Sequence, residues 1–287
     1  MKDDPPSPTR RRVAAALGSA AALSAGPGSW LLAPGEAVAQ STGQSRVERM
    51  AAQLSLLTRS TMAGVAAFLV PGNDLYSLVQ GRYSLFPGGV SAKGDAFLVY
   101  MFNNYLPFPG TETLATRLGQ PLERLPLPLG DGTTVSLGAA VQEVLSTTDS
   151  VPLSTLLGLL LNALALTVRP STALSLLLPP FSALSWAEKA RVMELLELPG
   201  SVALQMVSER LQEPITKTLL AYVQLIGLGL LAFAGSGSFS EWGVIDPARR
   251  TLTAKPVGWT ISRYQGVSDG WNEFRGYYQG RRSVSDA

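Results

Sequence analysis

The apolar positions along this chain recur mostly at helical spacing. Arg46, Glu48, Arg49, Gln53 and Arg59 alternate with Val47, Met50, Leu54, Leu57 and Val65, which predicts a helix over 44–70. Pro71-Gly72-Asn73-Asp74 stops it. Residues 76–90, with Gly81, Pro87, Gly88 and Gly89, read as a loop. A second helix is expected over 91–106, with Phe97, Leu98, Met101, Phe102 and Tyr105 on its apolar side. The stretch 107–134 holds five prolines and reads as an irregular excursion with a short helix near 111–118. Helices resume over 136–146 and 152–167, and the apolar run continues through 172–178 to Pro179-Pro180. Ser185-Trp186-Ala187-Glu188 has the spacing of a capping box, in which hydroxyl and carboxylate satisfy orphan helix N–H groups. It opens a helix expected to run to Leu198, before Pro199-Gly200. Further helices are expected over 201–212 and 215–234. No long segment alternates with the period of a strand. The fold class that follows is mostly α: an irregular helical bundle with long loops and an aromatic-rich C-terminal tail.

Two largely apolar stretches, 153–168 and 219–234, carry no charged side chain. Each is shorter than the roughly 20 residues that cross a bilayer. The first holds Asn162 between Pro152 and Pro170, and the second contains Gln224 and two glycines. Both are expected as buried core helices, and the alternative is contact with lipid or the lining of an apolar pocket.

The first 39 residues have a different organisation. Arg10, Arg11 and Arg12 precede an uncharged, Ala-rich run from Val13 to Leu32, followed by the small-x-small box Ala37-Val38-Ala39. Charged head, apolar run and cleavage box in that order read as a secretory signal cut between Ala39 and Gln40. The Arg11-Arg12 pair and the weakly hydrophobic run point to the twin-arginine route, which carries folded proteins. Val13-Ala14 departs from the fuller motif, and the alternative is an uncleaved amphipathic anchor. The chain thus divides into a signal (1–39), a helical domain (40–238) and an aromatic and Arg-rich C-terminal segment (239–287).

Composition narrows the chemistry. Beyond residue 39 there are 19 Lys/Arg against 18 Asp/Glu, a balance that argues against nucleic acid as a partner, because phosphate binding needs clustered cations. Charged residues make up only 15% of the chain, against about a quarter in an ordinary domain, so some apolar surface is expected to meet a partner, a ligand or lipid. The sequence has no His and no Cys. A Cys nucleophile, a His-based triad, a disulfide, an iron–sulfur cluster and an imidazole or thiolate zinc site are therefore excluded. No glycine run matches a phosphate loop or a dinucleotide fingerprint, so no cofactor is assigned. Glu241, Asp246, Asp269 and Glu273 are the carboxylates open to acid–base work, but an Asp-Pro or Asp-Gly pair is more often a turn.

The C-terminal segment interleaves Trp242, Trp259, Trp271, Phe239, Phe274, Tyr264, Tyr277 and Tyr278 with Arg249, Arg250, Arg263, Arg275, Arg281 and Arg282. Aromatic rings with arginine supply most of the energy in protein interfaces. Trp259, Tyr264, Trp271, Phe274, Arg275 and Tyr277 are accordingly the candidate partner-docking residues, and the alternative is a tail that packs its rings back onto the bundle.

The signal, the helical domain, the segment Phe181-Ser182-Ala183-Leu184-Ser185-Trp186-Ala187-Glu188-Lys189 and the later Pro256-Val257-Gly258-Trp259 together resemble subunit 3, the small gamma subunit, of gluconate 2-dehydrogenase, in a divergent actinobacterial form. The resemblance implies a noncatalytic chain that binds no cofactor itself. It accompanies a glucose-methanol-choline-type flavoprotein lacking its own signal and helps it mature and leave the cell. A second expectation from the residues alone is a secreted helical protein that encloses a lipid or sterol. Membrane contact is the less favoured alternative.

Overall fold

The computed structural model describes residues 45–105, 119–147, 151–175, 177–197, 227 and 229–264. Among these residues 59% are helical and 6% lie in strands, so the protein is mostly α.

Helix α1 (Arg46–Leu69) is the axis of the bundle. It starts at a capping box that matches the sequence Ser45-Arg46-Val47-Glu48: the Glu48 N–H donates to Ser45 Oγ and the Ser45 N–H to Glu48 Oε2. Helices α3 (Gly94–Tyr105), α4 (Leu137–Leu145) and α5 (Leu153–Val168) all pack on it. That is why Met50, Ala51, Leu54, Met62, Val65 and Ala66 are all buried, on a helix enclosed from several sides. The nearly all-apolar α5 is buried from Leu153 through Ala165. It crosses α1 where Gly158 meets Thr58, and Asn162 Nδ2 bonds Thr61 Oγ1 at 2.9 Å. Asn162 Oδ1 accepts the Phe181 N–H at 3.0 Å, so the polar atoms of this residue are spent inside the core. The stretch 153–168 is thus a core helix, and no helix among the described residues is long and apolar enough to cross a membrane. Of 219–234, the described part is helical over 229–234 and buries Leu230 and Ala234.

Helix α2 (Leu75–Val79) is a single short turn inside the segment expected as a loop, capped by Asp74. The excursion contains an antiparallel hairpin, β1 (Pro126–Pro128) with β2 (Thr134–Ser136), that periodicity does not reveal because three residues are too few to show alternation. A 3-10 turn (Pro170–Leu174) and helix α6 (Trp186–Glu197) follow α5, and α6 packs on α5. Helix α7 spans 229–239, where Phe233 meets Phe102 edge to face at 5.7 Å. The chain then forms a ribbon, β3 (Ile245–Asp246) with β4 (Thr251–Leu252), and ends its described part in α8 (Val257–Ser262). The regions expected as helices over 111–118 and 201–212 lie outside the described residues.

Candidate functional site

The start of α6 organises the most unusual part of the molecule. Its capping box forms as the sequence predicts: the Ser185 N–H donates to Glu188 Oε2 at 2.8 Å and the Glu188 N–H to Ser185 Oγ at 3.4 Å. Partial burial pushes the Glu188 carboxyl up, but the Ser185 donors and the Arg169 guanidinium outweigh it and hold the group below its usual value. The buried face of α6 is Lys189, Val192, Met193 and Leu196. A lysine therefore stands where the helical period calls for an apolar residue.

Lys189 is fully buried. Its ammonium donates to Gln80 Oε1 at 2.8 Å and to the Gly64 carbonyl at 3.3 Å, and lies 5.7 Å from the centre of the Phe181 ring. Two carbonyl acceptors and a π face match the three N–H donors. Removal from water pushes the Lys189 pKa down to about 7, and the charge of Asp74 works weakly the other way. Gln80 passes the connection on: its Nε2 donates to the Ala67 carbonyl at 2.7 Å, and its own carbonyl receives the Trp186 N–H at 3.0 Å. Gly64 makes the crossing close enough, because a side chain there would meet Ser182, whose Oγ donates to the Ser60 carbonyl at 2.8 Å.

The segment 70–90 rests on this base. Asp74 accepts from the Ser77 N–H at 2.8 Å, Ser77 Oγ accepts the Gly72 N–H at 2.8 Å, and Ser84 N–H and Gly89 N–H reach the Gly72 and Val70 carbonyls. Gly72 and Gly88 lie backbone to backbone: a methyl on Gly72 would come within 2.7 Å of Gly88 Cα. Tyr76 pins the loop from below, with its hydroxyl 2.9 Å from Ser60 Oγ, and burial raises its pKa to about 12.

The backbone of this loop is thus held internally, with Tyr76, Ser77 and Gln80 buried beneath it and five apolar side chains facing water. Leu78 is 60% exposed, Leu85 84% and Phe86 67%, and Val79 and Tyr83 are exposed as well. The Trp186 ring stacks at 5.4 Å on Phe68, beside the exposed Leu69, and its Nε1 donates to the Phe68 carbonyl at 3.1 Å. The Arg82 guanidinium lies 5.1 Å over the same ring. Arg82 thus ties the loop to the start of α6, and the loop's exposed apolar and aromatic side chains, with Trp186 and this arginine, have the composition of an interface hot spot.

Of the candidate docking residues in the tail, the structure brings Trp259 and Tyr264 together, edge to face at 5.1 Å. Trp259 is half-buried and Tyr264 is 45% exposed. Trp271, Phe274, Arg275 and Tyr277 lie outside the described residues, as do Arg11, Arg12, Ala39 and Gln40. Trp242 packs inward, 5.4 Å from Phe97 and 5.8 Å from Tyr100 on α3. Asp246 accepts the Ala248 and Arg249 N–H groups, so this carboxylate forms a turn. Asp95 pairs with Arg59 at 2.6 Å. Among the described residues no group of three or more acids is placed to hold a metal ion.

Sequence reasoning missed the loop surface. The signal was there: Leu75, Tyr76, Leu78, Val79, Tyr83, Leu85 and Phe86 are too many apolar residues for a connection that only meets water. No protein-family model, no curated protein and no solved structure matches the chain.

Proposed function

We propose that this chain is the noncatalytic accessory subunit, or export and maturation chaperone, of a secreted glucose-methanol-choline-type flavin oxidoreductase, carried out of the cell by the twin-arginine route. The observation that carries the proposal is the exposure of Leu78, Val79, Tyr83, Leu85 and Phe86 on one hydrogen-bonded loop, with the exposed Trp186 at the start of α6. A surface of this kind costs solubility unless a partner covers it. The hydrogen-bonded base beneath it keeps the ordering cost of docking low, as tight protein association requires. The absence of His and Cys leaves little side-chain chemistry for the chain to perform alone and is consistent with an accessory role. The twin-arginine route fits a partner that must fold around its flavin before export.

The test is to tag this chain at its C-terminus, express it in its own host together with the neighbouring genes, and purify it from the culture medium. An untagged protein with flavin absorbance, exported only when Arg11 and Arg12 are intact, is the expected result. Export of the tagged chain as a monomer with no flavoprotein would sink the proposal. So would unchanged export of the flavoprotein after deletion of this gene.

A further inference from the structure

A second feature stands apart from the docking surface. Between the β1–β2 hairpin, α1 and the 3-10 turn lies a pocket of about 160 Å³, partly open to solvent and lined chiefly by Leu57, Leu127, Leu137, Ala173 and Pro180. No charged residue lines it. Of its three hydroxyls, Thr172 Oγ1 donates to the Arg169 carbonyl at 2.7 Å, Ser175 Oγ receives the Leu178 N–H at 3.4 Å, and that of Thr134 belongs to an exposed residue of β2. The wall therefore offers dispersion contacts and very little polar recognition.

We infer that this cavity is a binding site for one neutral, ring-sized apolar group. Size and lining both lead there. An apolar protein cavity of roughly 150 Å³ takes up benzene or xenon, whereas sites for drug-sized ligands begin at about 300 Å³. A single six-membered ring fits this volume, and the four fused rings of a sterol or an extended acyl chain do not. A carboxylate or ammonium would give up part of its hydration and find no charged partner on the wall, so a neutral group is favoured.

Benzene is the probe, with the mature chain as the sample. At roughly ten times its Kd, benzene should raise the melting temperature by about 3–5 °C, as expected for a ligand that binds only the folded state. Ala173→Phe places a ring in the cavity and should abolish the shift, whereas Leu174→Ala, on the exposed side, should retain it. Xenon gives a readout that needs no variant: methyl resonances of Leu57, Leu127, Leu137 and Ala173 should move before those of other core residues. The inference is overturned by a wild-type chain that does not respond to benzene. A shift that survives in folded Ala173→Phe, displacement of benzene by a sterol, or xenon shifts that bypass these four residues would overturn it equally.

Discussion

Two regions of this molecule carry exposed rings, and they are supported in opposite ways. The loop 75–87 is held from beneath by Lys189, Gln80, Tyr76 and a chain of backbone bonds, and it turns Leu85 and Phe86 outward. The tail 239–264 is held by the β3–β4 ribbon together with its own rings: Trp242 is spent against Phe97 and Tyr100, while Phe239 and Tyr264 remain exposed. Aromatic density does not single out the tail, which holds four aromatic residues in 26 positions against three in 13 for the loop. The difference lies in what fixes the backbone. Where buried polar groups do so, the rings are free to meet a partner. Where the rings do so themselves, they are consumed by packing.

The most severe way to break the comparison is at the base. Gly64→Ala drives a methyl into Ser182, with Ser182 Cα only 3.1 Å from the added atom. A loss of about 3 kcal/mol is expected in denaturant unfolding, typical of a forced overlap in a close-packed crossing. A loss under about 0.5 kcal/mol would show that the crossing is not tight.

Next in size is the surface itself. Replacing Leu85 and Phe86 together with serine should weaken partner association by about 30-fold, or roughly 2 kcal/mol, while unfolding changes by less than about 0.5 kcal/mol. Binding unaffected by this pair would move the interface elsewhere. Trp242→Ala should do the reverse and cost about 2 kcal/mol of stability through two lost ring contacts, with partner affinity preserved.

The pH response sharpens the same contrast. Burial depresses the Lys189 pKa to about 7, below its ordinary 10.5, so between these values the unfolded chain binds the extra proton. Stability contributed by this group is therefore flat below pH 7 and rises with pH above it, by up to about 1.4 kcal/mol per unit. Tyr76 has the opposite sign: its pKa is raised from 10.0 to about 12, so the folded chain holds the extra proton and stability falls across that window. Lys189→Met should flatten the neutral limb of the stability profile and leave the alkaline fall in place. A profile unchanged by that substitution would mean that Lys189 is hydrated. The smallest effect is expected from Tyr264→Ala, under about 0.5 kcal/mol in stability, because the side chain is 45% exposed and its ring meets Trp259 edge to face.

Much of the helical framework was legible in the chain. The expected spans 44–70, 91–106, 136–146, 152–167 and 185–198 appear as Arg46–Leu69, Gly94–Tyr105, Leu137–Leu145, Leu153–Val168 and Trp186–Glu197. The agreement has local causes: capping boxes at Ser45 and Ser185, a Ser136 cap, and Pro152 immediately before α5. The candidate site was less legible. The loop carrying Leu78 to Phe86 was recognised as a loop but not as a surface, and the tail was favoured because its rings are more numerous.

The sequence by itself determined the five helices α1, α3, α4, α5 and α6 to within a few residues, the apolar character of α5 and the lack of imidazole and thiol chemistry. Each depends on residues a few positions apart, or on composition alone. Only the tertiary structure decided that Lys189 is buried on Gln80 and Gly64, that Trp242 is spent in packing, and that Leu85 and Phe86 are left in water. Those outcomes depend on contacts between residues tens to more than a hundred positions apart in the chain. Whether such a side chain is covered is decided by the packing of the helices as a set.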